Sequence, residues 1–187
     1  MEIHKYEKIW FAAALVMVVL FISSVAYGAV GAGIQMVDDE GGEINPNEIG
    51  EHPKFEGFQD VAGTEASVTQ VNESHYEAQI QANHPNFFPG EITIPEGSTV
   101  TFYITAGDVI HSYDIVGTNV NTMVIPGQIA EITAEFEEPK EYGVICTEYC
   151  GELHHEMEGK VNVVSQEEWD ENYTDDLITI DERGGDN

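Results

Sequence analysis

From Ile9 to Val37 the chain carries no charged side chain, and no other feature limits its fold as tightly. As a helix rising about 1.5 Å per residue, the twenty-odd most apolar of these residues cross a hydrocarbon core of about 30 Å. A transmembrane helix is therefore predicted over residues 9–32. The stretch exceeds the roughly 7–15 apolar residues of a cleaved secretory signal, which favours a permanent anchor. Lys5 and Lys8 stand in the short flank before it, whereas the long flank after it is acidic. The positive-inside rule keeps residues 1–8 in the cytoplasm and sends Asp38 onward outside the cell membrane. Trp10 and Tyr27 fit the two interfaces.

The charge balance excludes one class of partner. With 35 Asp and Glu against 6 Lys and Arg, nucleic acid is not expected. Yet 42% of residues are apolar and 10% aromatic, too many for a wholly disordered acidic chain. The carboxylates run from Asp38 to Asp186, and Glu131, Glu135, Glu137, Glu138 and Glu141 lie within the predicted domain rather than beside it. A generally acidic, salt-adapted exterior accounts for this better than an acidic linker and tail flanking an ordinary domain.

Beyond the anchor, residues 33–74 are rich in Gly, Asn, Pro, Asp and Glu and read as an acidic, solvated tether. Residues 75–165 read as one domain of short period-two segments: Tyr76–Ala82, Glu91–Ile94, Thr99–Thr105, Ile110–Val116, Ile129–Phe136, Tyr142–Cys146 and Lys160–Val164. Turn residues separate them, as in Pro95-Glu96-Gly97-Ser98 and Pro126-Gly127-Gln128. Strands at this spacing without helices between them predict an all-β Greek-key sandwich. The acidic tail, 166–187, is expected to be peripheral and to hold one short helix near Glu167–Tyr173.

Both cysteines fall in one run, Cys146-Thr147-Glu148-Tyr149-Cys150-Gly151-Glu152-Leu153-His154-His155-Glu156-Met157. Two thiols, an imidazole and a thioether form a soft donor set that selects copper or zinc over calcium or magnesium. A single blue copper needs one cysteine and would leave the other unused. Two bridging thiolates instead suit a compact dicopper core, each copper taking one terminal imidazole. His154 supplies one by spacing, and His111 is the best candidate for the other. A disulfide and a structural zinc site are the disfavoured alternatives. His4, His52, His75 and His84 read as solvated or loop histidines and Met123 as a core residue, while Tyr149, Phe87 and Phe88 read as aromatic packing rather than an electron path.

The run C-x-E-x-C-G-x-x-H-x-x-M, with Asp108-Val109-Ile110-His111-Ser112-Tyr113 and Val124-Ile125-Pro126-Gly127-Gln128 upstream, resembles subunit II of haem-copper cytochrome c oxidases, specifically the short one-helix kind found with B-type oxidases. The resemblance is strong over residues 88–164 and extends to Tyr6-Glu7-Lys8-Ile9-Trp10. It implies a cupredoxin fold and a dinuclear copper centre, CuA. By that resemblance His111 and His154 are imidazole ligands, Cys146 and Cys150 bridges, Met157 the axial ligand and the Glu148 carbonyl the sixth. The family spacing chooses His154 over His155. The Glu148 side chain is expected to hydrogen-bond at the boundary with the catalytic subunit rather than hold magnesium. Glu7 is expected at the mouth of a proton channel in subunit I. The implied partners are subunit I and a cytochrome c or small blue copper protein as electron donor. The rival reading is the CuA subunit of a nitric oxide reductase.

Overall fold

A computed structural model describes residues 4–30, 41–55, 68–173 and 178–179. Two compact units divide the chain, Met1–Met36 and Val37–Asn187. In the first, α1 (Lys5–Val30) starts before the predicted helix. The cause is local: the Glu7 carboxylate accepts the His4 backbone N–H at 3.0 Å, capping the first turn and extending the helix through charged residues. Trp10, Leu15, Leu20 and Phe21 are all exposed in this unit. A helix apolar on every side suits a membrane rather than water. The far end of the predicted span, residues 31–32, lies outside the described residues.

The second unit is a sandwich of two β-sheets. Its strands are β1 (Val68–Asn72), β2 (His75–Asn83), β3 (Asn86–Phe88), β4 (Glu91–Pro95), β5 (Ser98–Ala106), β6 (His111–Ile115), β7 (Asn121–Val124), β8 (Ala130–Phe136), β9 (Lys140–Ile145), β10 (Glu158–Val164) and β11 (Ile178–Thr179). One sheet runs β11-β1-β2-β5-β8 with β3 on β2, and the other runs β4-β10-β9-β6-β7. Period-two alternation delivers Val100, Phe102 and Ile104 of β5 into the space between the sheets, where Ile80, Ile92, Ile94, Ile115, Phe136 and Val161 meet them. Each such side chain, fully buried, contributes about 1.5–3 kcal/mol relative to exposure.

The opposite face of β5 is also covered. Ile44, Ile49 and Phe55 pack with Ile129 against Tyr103, and Lys54 pairs with Glu131 at 2.8 Å while lying 4.3 Å from the Tyr103 ring centre. Part of the stretch read as a solvated tether is thus folded onto the sheet, and β1 comes from it too. Scattered apolar residues such as Ile44 and Phe55 carry no periodicity, so the sequence pattern did not separate them from a linker. The remainder of that stretch, residues 33–40 and 56–67, lies outside the described residues. β3 and β7 were also unread, being three and four residues long. In β7 the exposed-buried alternation turns Thr122 and Val124 inward and Met123 outward, so Met123 is not a core residue.

After β10, Ser165 accepts the Glu168 N–H at 3.3 Å and opens α2 (Gln166–Asn172). Trp169 is buried edge-on to Tyr76 and stacks on Tyr173. The helix expected near Glu167 is therefore present but not peripheral, because its one large apolar residue enters the core. Residues 174–177 and 180–187 lie outside the described residues.

Candidate metal centre

The hairpin β9–β10 and strand β6 together build the site. β9 ends at Ile145 and β10 begins at Glu158, so Cys146–Met157 is the connection between them. It is closed at its base by the Cys146 N–H donating to the Met157 carbonyl at 3.2 Å. β6 lies beside β9 in register Asp114↔Ile145 and Ile115↔Val144. That pairing brings His111, at the first position of β6, to the mouth of the connection. Sequence neighbours could not have specified this; the sheet order does.

The donors converge. His111 is fully buried, Met157 nearly so, and Cys146 and Cys150 are each 7% exposed. One donor atom from each of His111, Cys146 and Cys150 lies within 4.8 Å of the others. His111 Nδ1 stands 4.0 Å from Cys146 Sγ, and the Cys146 thiol donates to the Glu148 carbonyl at 3.2 Å. Cys150 Sγ lies 3.4 Å from His154 Nδ1 and 3.6 Å from Met157 Sδ. His155 points away, its side chain 77% exposed and 3.5 Å from Glu156 Oε1. The Glu148 side chain is exposed. In the other unit, Glu7 stands in the first turn of α1 with its carboxylate on the His4 N–H.

Three residues outside the predicted set support the donors. The Asp108 carboxylate meets His111 Nε2 at 2.8 Å. An ionised carboxylate only accepts, so Nε2 carries the ring proton and Nδ1 keeps its lone pair toward Cys146. Burial pulls the Asp108 carboxyl up, but hydrogen bonds from His111 and from the His84 and Val109 N–H groups outweigh it and hold it below its ordinary value. Ser112 Oγ accepts the Thr147 N–H at 2.5 Å and the Glu148 N–H at 3.1 Å. The third is His84, which is half-buried rather than merely solvated. Its N–H donates to Asp108 Oδ2 at 2.8 Å, and its Nε2 bonds the Glu152 carbonyl. An acid three residues before a buried histidine was a readable sign for Asp108. Nothing in the sequence linked His84 to a loop 68 residues away.

The loop between the donors is conformationally demanding. Gly151 has φ 127 and Leu153, a residue with a Cβ, has φ 61. A left-handed non-glycine residue costs about 1–3 kcal/mol and persists only where its surroundings impose it. Burial, followed by the neighbouring Cys146, pushes the Cys150 thiol up to about 11. Two thiols this close ionise together only when a cation compensates them, and sulfur and imidazole donors suit a soft transition metal. The residues fit copper.

A β-sandwich whose hairpin loop and neighbouring strand gather two thiols, two imidazoles and a thioether is a cupredoxin-like domain with a candidate metal site. The profile of the cytochrome c oxidase subunit II periplasmic domain matches residues 70–164. The chain is 32% identical over 166 residues to cytochrome c oxidase subunit 2 of Thermus thermophilus, covering 84% of this chain and 91% of that one. To the probable subunit 2 of Rickettsia conorii it is 35% identical over 96 residues, half of this chain and 30% of that protein. A chain of a haem-copper terminal oxidase dimer solved by cryo-EM superposes with a TM-score of 0.63 at 31% identity, covering 86% of this chain and all of that one. The chain belongs to the cytochrome c oxidase subunit II family and is thereby a component of a membrane-bound haem-copper oxidase complex.

Proposed function

We propose that the chain is the electron-accepting subunit of a short one-helix, B-type terminal oxidase. It takes electrons from an external cytochrome c or small blue copper protein and hands them to haem in subunit I for oxygen reduction. The cluster of His111, Cys146 and Cys150, with His154 and Met157 against the Cys150 sulfur, carries this reading. A dinuclear copper centre, when bound, supplies a one-electron carrier that rearranges little on reduction. Cys146, Cys150, His111, His154, Met157 and the Glu148 carbonyl would hold the pair. Asp108 holds His111 in the tautomer that leaves Nδ1 free, and Ser112 fixes the two peptide N–H groups, of Thr147 and Glu148, that lead into the Glu148 carbonyl. The Glu148 carboxylate is assigned to a hydrogen bond at the subunit boundary rather than to magnesium.

The N-terminus is placed in the cytoplasm and the sandwich outside. Glu7 is assigned to the proton-channel mouth, and unchanged proton uptake in Glu7→Gln would remove that assignment. The exterior is adapted to high salt, where the Debye length falls to about 3 Å and long-range attraction fades. Donor docking therefore relies on apolar side chains near the loop, among them Tyr149 and Leu153. Association rates falling steeply as salt rises, within the range where the protein stays folded, would count against this.

The test is copper loading of the full chain. A purple mixed-valent spectrum with hyperfine splitting from two equivalent coppers, abolished in Cys150→Ser, is expected. A single-copper signal, or a spectrum indifferent to Cys150, would overturn the reading.

A further inference from the structure

We infer that His84, in the connection between β2 and β3, is a positioning residue that secures the supports of both imidazole donors of the metal loop. The inference rests on the copper-binding reading above. One side of His84 acts through its backbone: the N–H holds Asp108 Oδ2 at 2.8 Å, and Asp108 Oδ1 holds His111 Nε2 at 2.8 Å. The other side acts through its ring, which bonds the Glu152 carbonyl.

Glu152 lies between the two left-handed residues of the loop, Gly151 and Leu153. Such backbone needs outside contacts to stay in place. Among the described residues, the His84 ring is the side chain beyond the loop that bonds its backbone between Cys150 and His154. The loop's own bonds there are the His154 N–H to the Gly151 carbonyl at 3.4 Å, the Met157 N–H to the His154 carbonyl at 3.3 Å and the Glu156 N–H to the Leu153 carbonyl at 2.8 Å. The two made by His154 are long, so they restrain it weakly. The ring also lies flush on Gly151, where an added Cβ would stand 3.2 Å from His84 Cδ2 and Nε2. His84 thus occupies the space beside Gly151 that a Cβ would crowd, against the segment that carries Cys150 and His154.

The two links differ in what can break them. A side-chain substitution removes the ring but keeps the backbone N–H, so the effects at the two imidazoles separate. In the copper-loaded full chain, His84→Ala is expected to release copper to a chelator about 10–100 times faster. Its paramagnetically shifted proton signals from His154 move, while those of His111 stay. His84→Gln, whose amide N–H can reach the Glu152 carbonyl, is expected to restore most of the retention.

If the wild-type chain fails to take up two coppers, the copper reading itself falls. If it loads normally and His84→Ala releases copper at the wild-type rate with both sets of imidazole signals unmoved, the role of His84 falls alone. Equal disturbance of His111 and His154 without rescue by Gln would also overturn it, since that is the mark of general loosening.

Discussion

Ser112 offers the sharpest test of how the metal loop is held. Its hydroxyl has two lone pairs and one proton. The Thr147 and Glu148 N–H groups, at 2.5 and 3.1 Å, occupy both lone pairs, so its proton goes to Thr147 Oγ1 at 2.8 Å. Ser112→Ala removes all three bonds. Each contributes about 0.5–1.5 kcal/mol net, but Thr147 and Glu148 are exposed and water can replace part of the loss. The expected destabilisation is about 1.5–2 kcal/mol, a Tm drop of about 3–8 °C for a unit of this size. Thr147→Val removes only the bond between hydroxyls and is expected to cost less than half as much. Thermal unfolding of the full chain in detergent, followed by near-ultraviolet circular dichroism, measures both. The site adds a second readout. The backbone leading from Cys146 to the Glu148 carbonyl loses its anchor, so copper release to a chelator should quicken about tenfold. Equal Tm values for the two variants, or a Ser112→Ala variant with wild-type stability and copper retention, would refute the assignment of Ser112 as anchor.

Two further outcomes follow from the face of β5 that the sequence left unexplained. Phe55→Ala deletes a fully buried ring beside Ile44, Ile49 and Ile129 and should cost about 3 kcal/mol, the lower end for such truncations. Hydrogen exchange should show it as lost protection around residues 44–55 with the copper spectrum unchanged, whereas unaltered protection would mean that this segment does not pack. Tyr103 has its phenol pushed up to about 12, first by burial and then by the charges of Glu77 and Glu131. A raised folded value means that its contribution to stability is complete below the ordinary phenol value of about 10 and is lost as pH climbs from there to about 12. Ultraviolet titration against Tyr103→Phe should therefore lose one late-titrating phenol. Identical alkaline curves would contradict it.

What the sequence made legible divides along physical lines. The anchor and the central strands were readable because burial on one or both faces imposes a period on the residues, as in Val100, Phe102 and Ile104. Short elements had no room to show a period, so β3 and β7 went unread, and the packed residues Ile44, Ile49 and Phe55 resembled a linker. At the site, the residues of the loop could be read from their mutual spacing, and His111 from the motif around it. Its closeness to Cys146 depends on β6 pairing with β9, which is a property of the sheet rather than of either segment. Supporting residues are harder still. Ser112 and His84 act through backbone groups of the loop, and a backbone partner leaves no mark on the loop's own sequence.

The same outward-inward alternation that builds the core also sorts the surface. Glu135, Glu137, Glu138 and Glu141, on and beside β8 and β9, are all exposed, and among the described residues the domain's lysines are engaged locally, Lys54 with Glu131, Lys160 with Glu141 and Lys140 over the Tyr142 ring. Exposed pairs of this kind contribute little to stability, and the surplus carboxylates repel one another. The rim of the loop sets exposed apolar side chains, Val109 and Ile110 before His111 and Tyr149 and Leu153 within the loop, among the exposed Glu148, Glu152 and Glu156. Tyr149 meets the His154 ring edge-on at 5.7 Å, so an apolar contact made there reaches a donor residue directly. A partner that releases water from apolar side chains gains at this rim, next to the residues of the candidate metal site.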